Sequence, residues 1–170
     1  LSPREAELMD PRQRLMLEES WRAFEDAGYA PAGLAGRNVA VYIGVEEGEY
    51  AARLGEESLA TSAHSGVLAA RISYHLDLRG MNMAINTACS SGLVALHQGC
   101  EAVRRGECEL ALVGAVNLLL TETPYLLMTR MGMLSASGAC RTFDNAADGI
   151  VPAEAVAALV LKRLSSAQRD

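Results

Sequence analysis

The sequence of 170 residues, half of them hydrophobic, suffices for one ordinary domain with a buried core. A net charge of -6 and a pI near 5.1 argue against nucleic acid and against an anionic membrane surface as partners. No apolar run approaches the roughly 20 residues that span a bilayer. Four cysteines (Cys89, Cys100, Cys108 and Cys140) with no CxxC pair and no ligand-like spacing point to free thiols, no metal and a reducing, cytoplasmic setting.

Leu1-Ser2-Pro3 reads as a turn into a helix rather than the opening of a fold, and the chain stops soon after a strand-like run ending at Leu164, so residues 1–170 are expected to be a fragment of one domain. Asp10-Pro11 predicts a capped helix start, aspartate at the N-cap and proline at the first helical position. Leu17, Trp21 and Phe24 form its predicted core stripe and Gly28 its stop, with Glu18, Glu19, Arg22, Glu25 and Asp26 on the wet side. Residues 31–37 read as a loop. Val39–Val45 is a nearly continuous apolar strand, of the kind buried on both faces of a parallel or mixed sheet. The polar stretch 46–61 predicts a loop or short-helix excursion. A helix fits 62–76, with Val67, Ala70 and Tyr74 on one face and Leu68 and Ile72 beside it. His64 and His75 read there as capping or packed imidazoles.

Gly80 then turns the chain into Met81-Asn82-Met83-Ala84-Ile85, which alternates with the period of a strand. Beyond Asn86-Thr87-Ala88-Cys89-Ser90-Ser91-Gly92, the residues Leu93, Leu96 and Cys100 recur at helical spacing up to Gly106. One cysteine therefore sits where a strand turns sharply into a helix. First-turn amides point at such a thiol, the positive end of the helix dipole favours its thiolate, and small neighbours let a carbonyl approach. This is the design of a nucleophile elbow, better known with serine. A buried cysteine at a helix start is the plainer reading of the same pattern.

Residues 109–120 read as a strand and 121–130 as a short helix with Pro124 near its start. Met131, Met133 and the glycines and serines around them form a loop; methionine there is core filler or the wall of a pocket for varied apolar ligands. Asp144 and Asp148 are two carboxylates four apart, read as turn formers ahead of acid–base groups. Residues 155–164 close the chain as an apolar strand. Helices and strands alternate along the chain, which means an α/β layer architecture. A cysteine nucleophile still needs proton traffic and oxyanion stabilisation. His97, eight residues after Cys89 on the same helix, lies about 12 Å away and is out of reach as a base.

Several segments resemble the β-ketoacyl synthases of modular polyketide synthases. Asp10-Pro11-Arg12-Gln13-Arg14-Leu15-Met16-Leu17-Glu18 is similar to their DPQQRLxLE helix, and Arg71-Ile72-Ser73-Tyr74 to their RISY segment. Thr87-Ala88-Cys89-Ser90-Ser91 matches the TACSS nucleophile motif. Gly132-Met133-Leu134-Ser135, with Phe143-Asp144 and Ala147-Asp148-Gly149, matches the loop before the family's second half. Departures are Met81, Asn86, Gly92, Ala153 and Ala155, where proline, aspartate, serine and glycines are common.

The resemblance implies a thiolase-like fold of α-β-α-β-α layers, of which this chain is mostly the N-terminal βαβαβ half without its first strand. It implies a homodimer pairing through the 81–87 strand, and neighbouring polyketide synthase domains of an assembly line whose acyltransferase is a separate protein. Cys89 would take an acyl chain from one acyl carrier protein and condense it, with loss of carbon dioxide, with a malonyl-type extender on another. No cofactor is implied for the domain itself, since substrates arrive as phosphopantetheine thioesters. Met128, Met131 and Met133 would line the acyl channel. The two histidines and lysine of the family belong to its C-terminal half, so these residues alone should not condense. A non-condensing synthase that only passes chains on, a silent interaction domain and a cysteine hydrolase are the rivals.

Overall fold

Strand β1 (Val39–Val45) is buried along its whole length, as its apolar run predicts, because a strand pairs with each of its edges and helices cover both of its faces. The computed structural model describes residues 1–55 and 60–170. Among these, four strands form one sheet in the order β2-β1-β3-β4. Strands β2 (Asn82–Ile85) and β3 (Leu110–Asn117) flank β1 in parallel, and β4 (Ala155–Lys162) runs antiparallel beside β3. Gly44 pairs with both Ile85 and Ala115, so the three parallel strands end level with one another. Two compact units result, Leu1–Asn117 with Ala155–Asp170, which carries the sheet, and Leu118–Glu154.

Helices cover both faces of the sheet. Helix α1 (Pro3–Leu8) is capped by Ser2, whose hydroxyl accepts from the Glu5 amide, and α2 (Pro11–Asp26) starts at Asp10 and Pro11 as expected. The 31–37 loop contains a 3-10 turn, Pro31–Leu34. In the polar stretch, α3 (Tyr50–Leu54) and α4 (Ala60–Ala63) form; residues 56–59 of that expectation lie outside the described residues. Helix α5 (Ser65–His75) begins three residues later than predicted, because His64 caps it: Nδ1 accepts the Gly66 amide at 3.0 Å. Helix α6 (Ser91–Arg105) ends on left-handed Gly106. Helix α7 (Thr123–Arg130) belongs to the smaller unit, and a short α8 (Leu164–Ala167), not foreseen, follows β4. No described helix is long and apolar enough to cross a membrane.

The core stripes correct the sequence reading in a consistent direction. On α2, Phe24 is buried as expected, but it is joined by Arg12, Gln13, Met16 and Ser20, whereas Leu17 is half-buried and Trp21 is 45% exposed. Ser20 is buried at little cost because its hydroxyl donates to the Met16 carbonyl at 2.6 Å. On α5, Leu68, Ala69 and Ile72 face the sheet and Tyr74 is 82% exposed. On α6, Ala95, Gly99 and Ala102 are buried, while Leu93 is 74% exposed and Cys100 is also at the surface. Helices that approach the sheet this closely seat small residues, and a hydropathy pattern looks for large ones. Strand alternation sends Tyr42, Ala111 and Val113 to the α6 side and Gly114 to the side where Met16 of α2 packs.

One buried charge pair ties the start of α2 to the chain beyond β1. Asp10 and Arg12 are both buried. Asp10 Oδ1 accepts the Arg12 amide at 2.8 Å and the Arg12 Nε at 3.0 Å, and Oδ2 accepts Nη2 at 2.8 Å. The same guanidinium donates to the carbonyls of Glu46 and Ala63, so no charge or fork donor is left without company. Removing the carboxylate alone strands a buried cation. Asp10→Ala is expected to destabilise the chain by about 3–5 kcal/mol in chemical denaturation, and Asp10→Ala with Arg12→Met to recover most of that loss.

Candidate active site

Strand β2 ends at Ile85 and α6 begins at Ser91, leaving five residues to reverse the chain. That turn is bound at both flanks of Cys89. Asn86 Oδ1 accepts the Ala88 amide at 3.0 Å, and Ala88 adopts φ 54°, a left-handed conformation uncommon outside glycine. Ser91 is buried; its hydroxyl accepts the Thr87 amide at 2.9 Å and donates to the Ala88 carbonyl at 2.6 Å. The same carbonyl accepts the Ser91 amide at 2.9 Å. Ser90, the N-cap residue, turns its hydroxyl back to the Thr87 carbonyl at 2.8 Å and makes no capping bond to α6.

Between these fixed points stands Cys89, an exposed free thiol directly before the first turn of α6. Cys100 and Cys140 are free and exposed as well. Cys108 is buried, and burial pushes its thiol up. Exposure alone therefore does not distinguish Cys89; its place on a clamped strand–helix turn does. The histidines are engaged elsewhere or stand apart. His64 caps α5, and His75 meets the Tyr74 ring edge-on at 5.5 Å, its pKa lowered first by burial and then by Arg71. His97 lies on α6 where its spacing put it. Among the described residues no group of three or more His, Cys, Asp or Glu stands close enough to hold a metal ion.

The smaller unit carries Met128, Met131 and Met133. Met128 on α7 is half-buried, and Met131 and Met133 are 69% and 39% exposed. The Met133 amide donates to the Met128 carbonyl at 2.9 Å, and its own carbonyl accepts from Ile150 at 2.9 Å. Asp144 forms a turn, accepting the Ala146 amide at 2.8 Å. Asp148 accepts the Ser135 hydroxyl at 2.5 Å and the Ser137 amide at 2.9 Å, bonds that hold its carboxyl below the usual range. Glu154 accepts the Leu119 amide at 2.8 Å and so joins the two ends of the unit.

An α/β layer fold with a thiol on a clamped strand–helix turn has the form of a nucleophile elbow. The model of the family "Beta-ketoacyl synthase, N-terminal domain" matches residues 1–167, and the chain belongs to that family. It is 53% identical over 170 residues to polyketide synthase PksM of Bacillus subtilis and 49% identical to polyketide synthase ThaG of Burkholderia thailandensis. All of this chain is aligned in both, but it spans only 4% and 3% of their lengths. Among solved structures, the ketosynthase from module 6 of the Bacillus subtilis bacillaene synthase superimposes with a TM-score of 0.92 at 44% identity, over 99% of this chain and 30% of that one. The oxazolomycin ketosynthase domain OzmH KS7 of Streptomyces albus gives 0.92 at 39% identity. The fold is thus thiolase-like, as the motifs implied.

Sequence reasoning reaches Ser91 only as a small neighbour of Cys89 within the motif and misses its closure of the turn. The available signal was a serine four residues after Thr87, at the distance where a hydroxyl closes a turn. Ser91→Ala takes the hydroxyl away from the Thr87 amide and one of two partners away from the Ala88 carbonyl, and is expected to destabilise by about 0.5–1.5 kcal/mol, with faster amide exchange at Thr87. For Asp148 the folded carboxyl is depressed, so its contribution is full above the unfolded value and disappears as pH falls through the lower folded value. Protection of the Ser137 amide should therefore persist at about pH 4 and be lost only in stronger acid, and Asp148→Asn should weaken it at about pH 4 and above, with the two proteins converging in strong acid, read by hydrogen exchange.

Proposed function

We propose that Cys89 is the acyl acceptor of a polyketide ketosynthase. The observation that carries this reading is the thiol on its clamped turn, inside the Thr87-Ala88-Cys89-Ser90-Ser91 motif of a chain that is 53% identical to a polyketide synthase. In the reaction, the Cys89 thiolate attacks the carbonyl carbon of an acyl-phosphopantetheine thioester carried on an acyl carrier protein. The carbonyl electron pair moves to oxygen, at the end of α6 where Ser90 supplies no side-chain cap. Collapse expels the pantetheine thiolate and leaves an acyl-Cys89 thioester. In the second half-reaction a malonyl-type thioester loses carbon dioxide, its carbanion attacks the acyl-Cys89 carbonyl, and the Cys89 thiolate departs. By the resemblance, that half-reaction draws on two histidines and a lysine of the family's C-terminal half, and the part proposed for these 170 residues is the acyl-accepting thiol.

Met128, Met131 and Met133 supply flexible, polarisable side chains suited to an acyl channel that accepts varied chains. Strand β2 lies at an edge of the sheet, with Met81 and Met83 exposed, which suits pairing with the same strand of a second copy. Further partners are the neighbouring domains of an assembly line whose acyltransferase is separate, and no cofactor is held by the domain itself. A non-condensing synthase, which only transfers the chain, shares every feature of the loading step.

Incubation with an acyl-N-acetylcysteamine thioester, followed by intact-mass and peptide mapping, tests the assignment. One acyl group on Cys89, with at least a ~100-fold slower reaction in Cys89→Ala, is the expected result. Acylation of Cys100, Cys108 or Cys140 with Cys89 untouched reverses it. Met128→Ala should alter the relative rates of short and long acyl donors, and unchanged chain preference removes that methionine from the channel.

A further inference from the structure

We infer that Gly44, on β1, is a positioning residue for Cys89, an inference that rests on the acyl-acceptor reading above. Gly44 pairs with Ile85, the last residue of β2, and with Ala115 of β3, and so stands level with the point where the chain leaves the sheet for the cysteine turn. A β-carbon placed on it would lie 2.6 Å from the Ser91 carbonyl carbon, 2.7 Å from the Gly92 nitrogen and 2.8 Å from the Ser91 oxygen. Carbon contacts are comfortable at about 3.5–4.0 Å. All three atoms are backbone, so no side-chain rotation relieves the overlap; the first turn of α6 must move. Gly44 has no positive φ, and space is what a side chain there would violate.

Movement of that turn reaches the sulfur by a short route. Ser91 is the residue whose hydroxyl holds the Thr87 amide and the Ala88 carbonyl, two and one residues before Cys89. Displacing its backbone pulls on both bonds and on the left-handed Ala88 between them. On the neighbouring strand β3, a β-carbon on Gly92 would already sit 3.1 Å from the Cβ of Ala115, Gly44's register partner, so the turn is closely seated on both strands. Gly99 provides the contrast. It lies on the same helix, and a β-carbon there would meet side-chain ends, those of Val113 and Leu161, well away from the turn.

The test compares Gly44→Ala with Gly99→Ala in acylation of Cys89 by the thioester, alkylation of Cys89 by iodoacetamide, and thermal stability. Gly44→Ala should acylate roughly 10–100-fold more slowly, since a displacement near 1 Å costs on the order of 100-fold, and its iodoacetamide rate should shift at least about threefold. Gly99→Ala should keep both rates within about twofold of wild type at a comparable loss of stability. Normal acylation in Gly44→Ala, or equal losses in the two variants, overturns the inference. Should Gly44→Ala fail to fold, Ala115→Val, a milder push on Gly92 from β3, is expected to slow acylation severalfold, and an unchanged rate overturns it equally. Wild-type protein that is never acylated at Cys89 defeats the acyl-acceptor reading instead. The iodoacetamide comparison, which needs no catalytic role, then still decides whether Gly44 places the sulfur.

Discussion

Close contact between α6 and the sheet is the constraint on which the rest depends. At the start of the helix, Gly44 admits the backbone of Ser91 and Gly92 onto β1, and Gly92 seats against Ala115 of β3, with little side-chain material between. A helix held at that distance has its first residue fixed against the strand ends, and the five residues joining β2 to it have few ways to close. The closure observed is a tight one, with Ala88 left-handed and the Ser91 hydroxyl bridging the turn. Cys89 is left facing outward because the backbone on both sides of it is bound inward. Its exposure is the outcome of packing elsewhere.

The same constraint explains why the opposite face is built differently. Helices α2 and α5 pack on the other side of the sheet through larger residues, Met16, Phe24, Leu68 and Ile72, all fully buried. There the buried Asp10–Arg12 pair and the capping of α5 by His64 join the helix starts to the segment after β1. That face supplies hydrophobic burial, and the α6 face supplies geometry. Such a division suits the proposed acyl acceptor, whose reacting atom must be held still.

Much of this was legible in the residues. Val39–Val45, the Asp10-Pro11 helix start, the Gly106 stop and the strand–turn–helix around Cys89 all lie where propensity, capping and periodicity indicated. The family motifs, ordered along the chain, gave the fold and the family that the comparisons bear out. The buried helix faces were legible only in part: Phe24, Leu68 and Ile72 are buried as read, but the small residues Ser20, Ala69 and Gly99 also face inward, while Trp21, Tyr74 and Leu93, which hydropathy ranks above them, are exposed. Gly44 and Ser91 escaped for a related reason: each acts on backbone atoms far away in sequence or hidden within a turn. A glycine inside a strand is a warning of close backbone approach, but only coordinates say what approaches.

The most direct measurement of the central claim is a crystal structure of the chain after reaction with a chloroacetyl-pantetheine probe. The account predicts a single covalent adduct on Cys89, with the α6 turn unchanged and the probe's carbonyl oxygen lying against the first-turn amides of α6. An adduct on Cys100 or Cys140 with Cys89 bare, or a Cys89 adduct whose carbonyl points away from the helix, would contradict it.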